Sequence, residues 1–154
     1  VITIRPATAR DREFVLSLAD RLADFDRPVW RSAEEIAEGD RRALAEAFDS
    51  PHPDRALFVA ELHSTPAGCL LLWTIEDYFS GGRHAHISVV AITRSAEGQG
   101  VGRALMQQAE TWARERGHSR ITLSVFEGNR RAQQLYERTG YQVELRRYVK
   151  PLSR

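Results

Sequence analysis

The chain has 154 residues, 42% of them hydrophobic and 28% charged, which is ordinary globular usage and excludes disorder, collagen and coiled coil. With 22 Lys+Arg against 21 Asp+Glu the net charge is +1, which argues against nucleic acid or an anionic membrane as the main partner. One cysteine, Cys69, excludes an internal disulfide and a cysteine-based zinc site, and no apolar run approaches the ~20 residues that span a bilayer. The opening Val1-Ile2-Thr3-Ile4-Arg5-Pro6 is too broken by polar residues for a signal segment, so cytoplasmic residence is the expectation. The length suits one domain, expected over 1–154.

Ile2-Thr3-Ile4 alternates up to Pro6 and predicts a short first strand. Thr8 and Asp11 have capping-box spacing, and Phe14, Val15, Leu18, Ala19, Leu22 and Phe25 follow a helical period. Asp26-Arg27-Pro28 breaks that helix. Ser32 and Glu35 form a second capping pair ahead of Ile36, Ala43, Leu44, Ala47 and Phe48, a helix ended by Pro51 and Pro53. The period then shortens. Residues 56–62, 69–77 and 84–92 read as strands, with turns at 63–68 and 80–82, and such short links imply an antiparallel meander. Val101, Leu105, Ala109 and Trp112 line the next helix, which Gly117 stops. Residues 120–126 read as a strand, Asn129 to Gly140 as a capped helix, and 141–149 as a last strand. Strand 84–92, helix 101–116 and strand 120–126 form a crossover unit, so those two strands are expected to be parallel neighbours. The fold class is therefore α/β: a mixed, mostly antiparallel sheet flanked by helices on both faces.

The densest chemical signal is Glu97-Gly98-Gln99-Gly100-Val101-Gly102-Arg103, three alternate glycines between a strand and a helix. Such a turn reads either as a plain tight turn or as a phosphate site, because a helix N-terminus offers unpaired N–H groups and a partial positive charge. A P-loop is excluded, since Gly102 is followed by Arg103-Ala104, and the dinucleotide fingerprint lacks its third glycine.

The stretch from Val90-Ala91-Ile92 through Glu97 to Leu105 resembles the acyl-CoA loop of the GNAT N-acetyltransferase superfamily, whose loop reads Gln/Arg-x-x-Gly-x-Gly/Ala. Asn129-x-x-Ala132-x-x-Leu135-Tyr136-x-x-x-Gly140-Tyr141 resembles the second motif of that family, and the element order fits nearly the whole chain. The departure is Glu97, where the family usually has Gln or Arg. The resemblance implies a single N-acetyltransferase domain whose sheet splays between the parallel strands. Acetyl-CoA is then the cosubstrate, with no metal, no nucleic acid and no membrane partner. Val90, Ala91 and Ile92 would pair with the pantetheine arm. The amides of Gly98, Gln99, Gly100, Val101, Gly102 and Arg103 would hold the pyrophosphate beside Glu97, and Asn129 would help fix the cofactor. Tyr136, which on spacing alone reads as core, would contact the thioester sulfur and protonate the leaving thiolate.

The implied reaction is direct attack by an amine, which must lose a proton because a free alkylamine has a pKa near ~10. Family members can carry a glutamate on the strand at 84–92, and none is present here. Glu76 is the first candidate base, with Asp77, His84 and His86 behind it. His84 and His86 share a strand face, which invites a metal test, but no third ligand is evident. Residues 24–31 and 76–79 are expected to wall the acceptor pocket. A carboxylate next to a pyrophosphate must turn away or find a cation, and Arg103 is the expected partner of Glu97. A non-catalytic acyl-CoA sensor on the same fold is the rival reading. Dimerisation is common in the family and is left open by the sequence, as is the amine.

Overall fold

In a computed structural model, residues 1–153 are described. The chain runs β1 (Ile2–Pro6), a 3-10 turn (Ala9–Asp11), α1 (Arg12–Ser17), a 3-10 stretch (Leu18–Ala23), α2 (Ala33–Asp49), β2 (Arg55–Leu62), β3 (Thr65–Glu76) and β4 (Arg83–Ile92). A 3-10 turn (Arg94–Ala96), α3 (Val101–Glu115), β5 (Ile121–Leu123) and α4 (Arg130–Arg138) follow. The strands form one sheet in sequence order, antiparallel except for the parallel pair β4–β5.

Helices cover both faces because each strand alternates apolar residues between them. Leu70, Leu72, Ala85 and Ile87 pack on Leu105, Met106, Ala109 and Trp112 of α3. Val59, Cys69, Leu71, Val89 and Ala91 pack on Val15, Leu18 and Leu44 on the opposite face. The helix expected from Phe14 to Phe25 changes type midway. The Ser17 hydroxyl donates to Phe14 O at 2.5 Å, while the Leu18 N–H bonds Val15 O and Leu16 O, so the tighter 3-10 pattern takes over. The Ser32–Glu35 capping box forms with both bonds, at 3.0 and 2.9 Å. The turn expected over 63–68 is tighter than its length suggested. Leu62 already pairs with Thr65, and His63 and Ser64 both take positive φ, the demand of a two-residue hairpin.

Two further corrections lie at the other end of the chain. The strand expected at 120–126 contracts to Ile121–Leu123, and residues 141–149 form no strand. Between Leu71 and Leu72 the β3–β4 register skips Ser88, so β4 carries a bulge there. Its parallel pairing with β5 stops one residue earlier, at Ile87–Leu123. Among the described residues, the β5-facing edge of β4 has no strand partner from Ser88 to Ile92, and this opens the sheet.

Candidate active site

The glycine turn lies where β4 leaves the sheet. Gly98 and Gly100 have φ of +75° and +89°, a region that costs a side chain bearing a Cβ, and Gly100 is the N-cap of α3. Among the described residues, none of the six backbone N–H groups from Gly98 to Arg103 donates a hydrogen bond within the chain. The first internal bond of α3 runs from Ala104 N–H to Gly100 O at 3.1 Å. Six consecutive donors with no internal acceptor, at the positive end of a helix and beside an open strand edge, form an arrangement chemically suited to an anion.

Glu97 bridges two cations at the mouth of this turn. Its carboxylate accepts from Arg21, on the 3-10 stretch, and from Arg131 of α4 at 2.8 Å. Partial burial pushes its pKa up, but the bonds to Arg21 and Arg131 outweigh this and hold it below the usual glutamate value. Arg21 also reaches Asp24 at 3.0 Å and Ile92 O at 3.4 Å. The expected partner Arg103 is exposed and makes no ion pair among the described residues. Sequence proximity misled here. The cations come from residues far away in the chain that the fold brings to the turn.

Tyr136 lies on α4, half-buried against the α3-side core, with its ring 6.1 Å from that of Tyr141. Burial raises its pKa to about 12, so it is a protonated donor at neutral pH, and its hydroxyl has no hydrogen-bond partner within the chain among the described residues. The Asn129 side chain accepts from Ala132 N–H at 3.3 Å, capping α4. Val90 and Ile92 face the α3 core and Ala91 the other, all three on the open stretch of β4.

Glu76 is not brought to this place. It ends β3, paired with Arg83, about 27 Å along the strand from Gly68, the β3 partner of Ile92. By strand alternation it also shares a face with Thr74, which bonds His118 at the far end of α3. His84 and His86 stand nearer the opening, on the face covered by α2. His84 Nε2 and His86 Nδ1 meet the Thr122 hydroxyl of β5 at 3.0 and 2.8 Å. That hydroxyl has one proton, so it donates to one ring and accepts from the other. His84 Nδ1 is buried without a partner among the described residues. Burial, and then the neighbouring His84, lower the pKa of His86, which keeps it neutral at physiological pH. Among the described residues, no group of three or more His, Cys, Asp or Glu is placed to hold a metal.

The loop after the 3-10 stretch crosses the opening. Phe25 stacks on Phe126 at 5.1 Å, and a Cβ on Gly128 would lie 2.0 Å from Asp26 O, so only glycine lets the two loops meet. One residue of this region was missed in the sequence reading. Asp40 falls within the apolar stripe Ile36, Ala37, Leu44 on the buried face of α2. Burial raises its pKa to about 6, and it has no ion-pair partner among the described residues. An acid at helical spacing inside that stripe was the available signal.

The family model for the acetyltransferase (GNAT) family matches residues 18–141. Thialysine N-epsilon-acetyltransferase of Bos taurus is 26% identical over 149 residues, covering 92% of this chain and 84% of its own. Among solved structures, a protein of Pyrococcus furiosus proposed to be an acetyl transferase superposes with a TM-score of 0.75 at 28% identity, over 99% of this chain and 100% of that one. A transcriptional regulator of Bacillus halodurans C-125 superposes with a TM-score of 0.73 at 26% identity, again over 99% and 100%. Among the described residues, no helix is long and apolar enough to cross a membrane.

Proposed function

We propose that residues 1–154 of this chain, which belongs to the GNAT acetyltransferase family, form one N-acetyltransferase domain that transfers acetyl from acetyl-CoA to a primary amine by direct attack. The observation that carries this reading is the run of unpartnered amides from Gly98 to Arg103 beside the open edge of β4. The amides take the pyrophosphate, and the free edge at Val90–Ile92 takes the pantetheine amides as an added strand would. Arg21 and Arg131, held by Glu97, stand at the mouth of the turn. Asn129 sets the start of α4 and so the position of Tyr136.

Tyr136 lies on the α3 side of the sheet and His86 on the other, beside the end of the β4–β5 pairing. The amine nitrogen bonds to the thioester carbonyl carbon, the carbon–sulfur bond breaks, and Tyr136 Oη gives its proton to the departing thiolate. The proton lost by the amine goes to His86. We assign this role to His86 rather than Glu76. His86 is neutral at physiological pH, lies one residue from the end of the β4–β5 pairing, and is oriented through Nδ1 by Thr122. Asp40, on the face that His86 shares, suits a cationic acceptor such as a lysine-like amino acid or a polyamine. The single cysteine fits a cytoplasmic setting. Thiol release from acetyl-CoA with a panel of thialysine, lysine, polyamine, aminoglycoside and peptide N-termini tests the reading. Turnover on at least one amine, lost in Tyr136→Phe, is expected.

The similarity to a transcriptional regulator favours a second reading, a non-catalytic acyl-CoA sensor on the same fold. It predicts acetyl-CoA binding in calorimetry with no thiol release across the panel. Gly100→Val is expected to abolish binding under either reading, because a β-branched side chain is strained at φ +89°. Unchanged affinity in that variant would remove the glycine turn from the cofactor site.

A further inference from the structure

His84 and His86 stand two residues apart on β4 and so share a face of the sheet. The parallel register sets Thr122 of β5 beside His86, one pair before the two strands part. Both rings reach its hydroxyl, His84 by Nε2 at 3.0 Å and His86 by Nδ1 at 2.8 Å. The two rings are not equivalent. His86 is half-buried, and its Nε2 has no hydrogen-bond partner among the described residues. His84 is only 7% exposed, and its Nδ1 is buried without one. A buried ring with one nitrogen unpaired costs stability, and the acetyl transfer makes no direct use of it.

The single proton of the Thr122 hydroxyl allows this chain of bonds two directions. In one, His86 Nδ1–H donates to Thr122 Oγ1, and the Thr122 O–H donates to His84 Nε2. His84 then carries its proton on Nδ1, and His86 Nε2 is bare. In the other, His84 Nε2–H donates to Thr122, and the Thr122 O–H donates to His86 Nδ1. The proton of His86 then sits on Nε2 and blocks the capture of another. A neutral histidine serves as a base only at its bare nitrogen, so the direction of the chain decides whether His86 can act.

Asp77 tips the balance. It lies two residues after Ile75, the β3 partner of His84, and alternation puts it on the face of both histidines. Its carboxylate accepts from Ser80 N–H at 2.8 Å, has Arg120 at 3.6 Å, and stands close enough to feel the charge of His84. A nearby carboxylate favours an N–H over a lone pair, and Nδ1 is the nitrogen of His84 not engaged by Thr122. The other titratable groups around the pair are Asp40 on the buried face of α2 and His118 after α3, and neither bonds a ring nitrogen of the pair among the described residues.

We propose that His84 is a positioning residue for the transfer: through Thr122 it holds His86 in the tautomer whose Nε2 is free to take the amine proton. This rests on the assignment of His86 as the base. As the amine nitrogen bonds to the carbonyl carbon, its N–H bond breaks and the proton forms a new N–H bond at His86 Nε2. The ring becomes a cation whose Nδ1–H still donates to Thr122. Tyr136 has meanwhile given a proton to the thiolate. His86 returns one to solvent and Tyr136 recovers one, so charge balances over a turnover.

Nitrogen-15 NMR of the histidine-labelled chain, at a pH above the range in which the rings titrate, reads the tautomers, with His84→Gln and His86→Gln assigning the signals. Protons on Nδ1 of both rings are expected, and protons on Nε2 of both would overturn the proposal. Thr122→Val keeps the shape of the side chain and removes the hydroxyl. In it the His86 proton is expected to move to Nε2, with kcat about fivefold lower, the population that one hydrogen bond holds, and KM for acetyl-CoA unchanged. His84→Phe should do the same, and Thr122→Val carries the test where His84→Phe does not fold. His84→Gln, whose amide oxygen accepts from Thr122, should keep both the His86 tautomer and kcat. Wild-type kcat in a variant whose His86 proton has moved would refute the positioning role. The spectra need neither acetyl-CoA nor amine, so reversed tautomers refute the chain of bonds by itself. Wild-type kcat in His86→Gln would instead refute the base assignment and, with it, the use of the chain.

Discussion

The two halves of the sheet obey different rules. On one side, β3 and β4 pair without a gap wider than one bulge, from Gly68–Ile92 to Glu76–Arg83, and β2 pairs along most of its length with β3. Leu70, Leu71 and Leu72 are fully buried between them and the helices. On the other side, β4 and β5 share only the pairs from Ala85 to Ile87, and the last residues leave the fold. Hairpins explain the first half, because short turns close strands at small entropic cost. In the second half, three features suited to a ligand are hydrogen-bonding groups without a partner among the described residues: the open edge of β4, the amides of the glycine turn and the hydroxyl of Tyr136. Stability is concentrated where pairing is complete, and chemistry where it is withheld.

The largest expected effect breaks the open half. Tyr136→Phe should lower kcat by about 10²–10⁴-fold with the melting temperature nearly unchanged, because its hydroxyl bonds nothing within the chain. Steady-state rates, measured where chemistry limits turnover, decide it, and wild-type kcat would remove Tyr136 from the mechanism. The matching blow to the closed half is Leu71→Ala, which should cost about 2–5 kcal/mol of stability in urea unfolding. Val125→Ala, beside β5, should cost less than about 1 kcal/mol. Equal costs would mean that the two halves are equally packed.

Protonation probes the start of the closed half. Asp11 is buried and held by Arg5 at 2.8 and 2.9 Å and by the Thr8 N–H at 2.7 Å. The bond to Arg5 is the main reason its pKa falls from 3.8 to about 2. The folded carboxyl is the stronger acid, so its stabilisation is complete above the unfolded pKa and is lost as pH falls towards about 2. That amounts to about 2 kcal/mol. Asp11→Asn should therefore lie furthest below the wild type at neutral pH, and the gap in unfolding free energy should close in acid. A gap independent of pH would assign the loss to packing.

The smallest effect sharpens the mouth of the turn. Glu97→Gln frees Arg21 and Arg131 for a phosphate, so acetyl-CoA affinity should rise by less than about fivefold, mostly at low salt. The double variant Glu97→Gln, Arg131→Ala should be non-additive in calorimetry. A large loss from Glu97→Gln alone would show that Glu97 must hold its two arginines in place for binding.

Local patterns in the chain located most elements on the closed side, though not the 3-10 stretch after α1 or the two-residue hairpin between β2 and β3. Alternation located the meander, capping pairs located α2, and three alternate glycines marked the turn before α3, because each of these is a property of neighbouring residues. The same reasoning failed wherever the partner was distant. Glu97 was matched to Arg103 by proximity, whereas its cations stand on a 3-10 stretch and on α4. His84 and His86 were visible as a pair. The hydroxyl that joins them was not, since it depends on the parallel register of His86 with Thr122.

Composition, periodicity and turn chemistry therefore determined the class of fold, the order of its elements up to α4 and the position of the glycine turn before α3, because those depend on interactions within a few residues. Tertiary structure alone decided which charges meet at that turn, which strand stops short and which segment is left without a sheet. Those outcomes depend on register and on which edges remain uncovered after the chain has packed, and no local spacing encodes them.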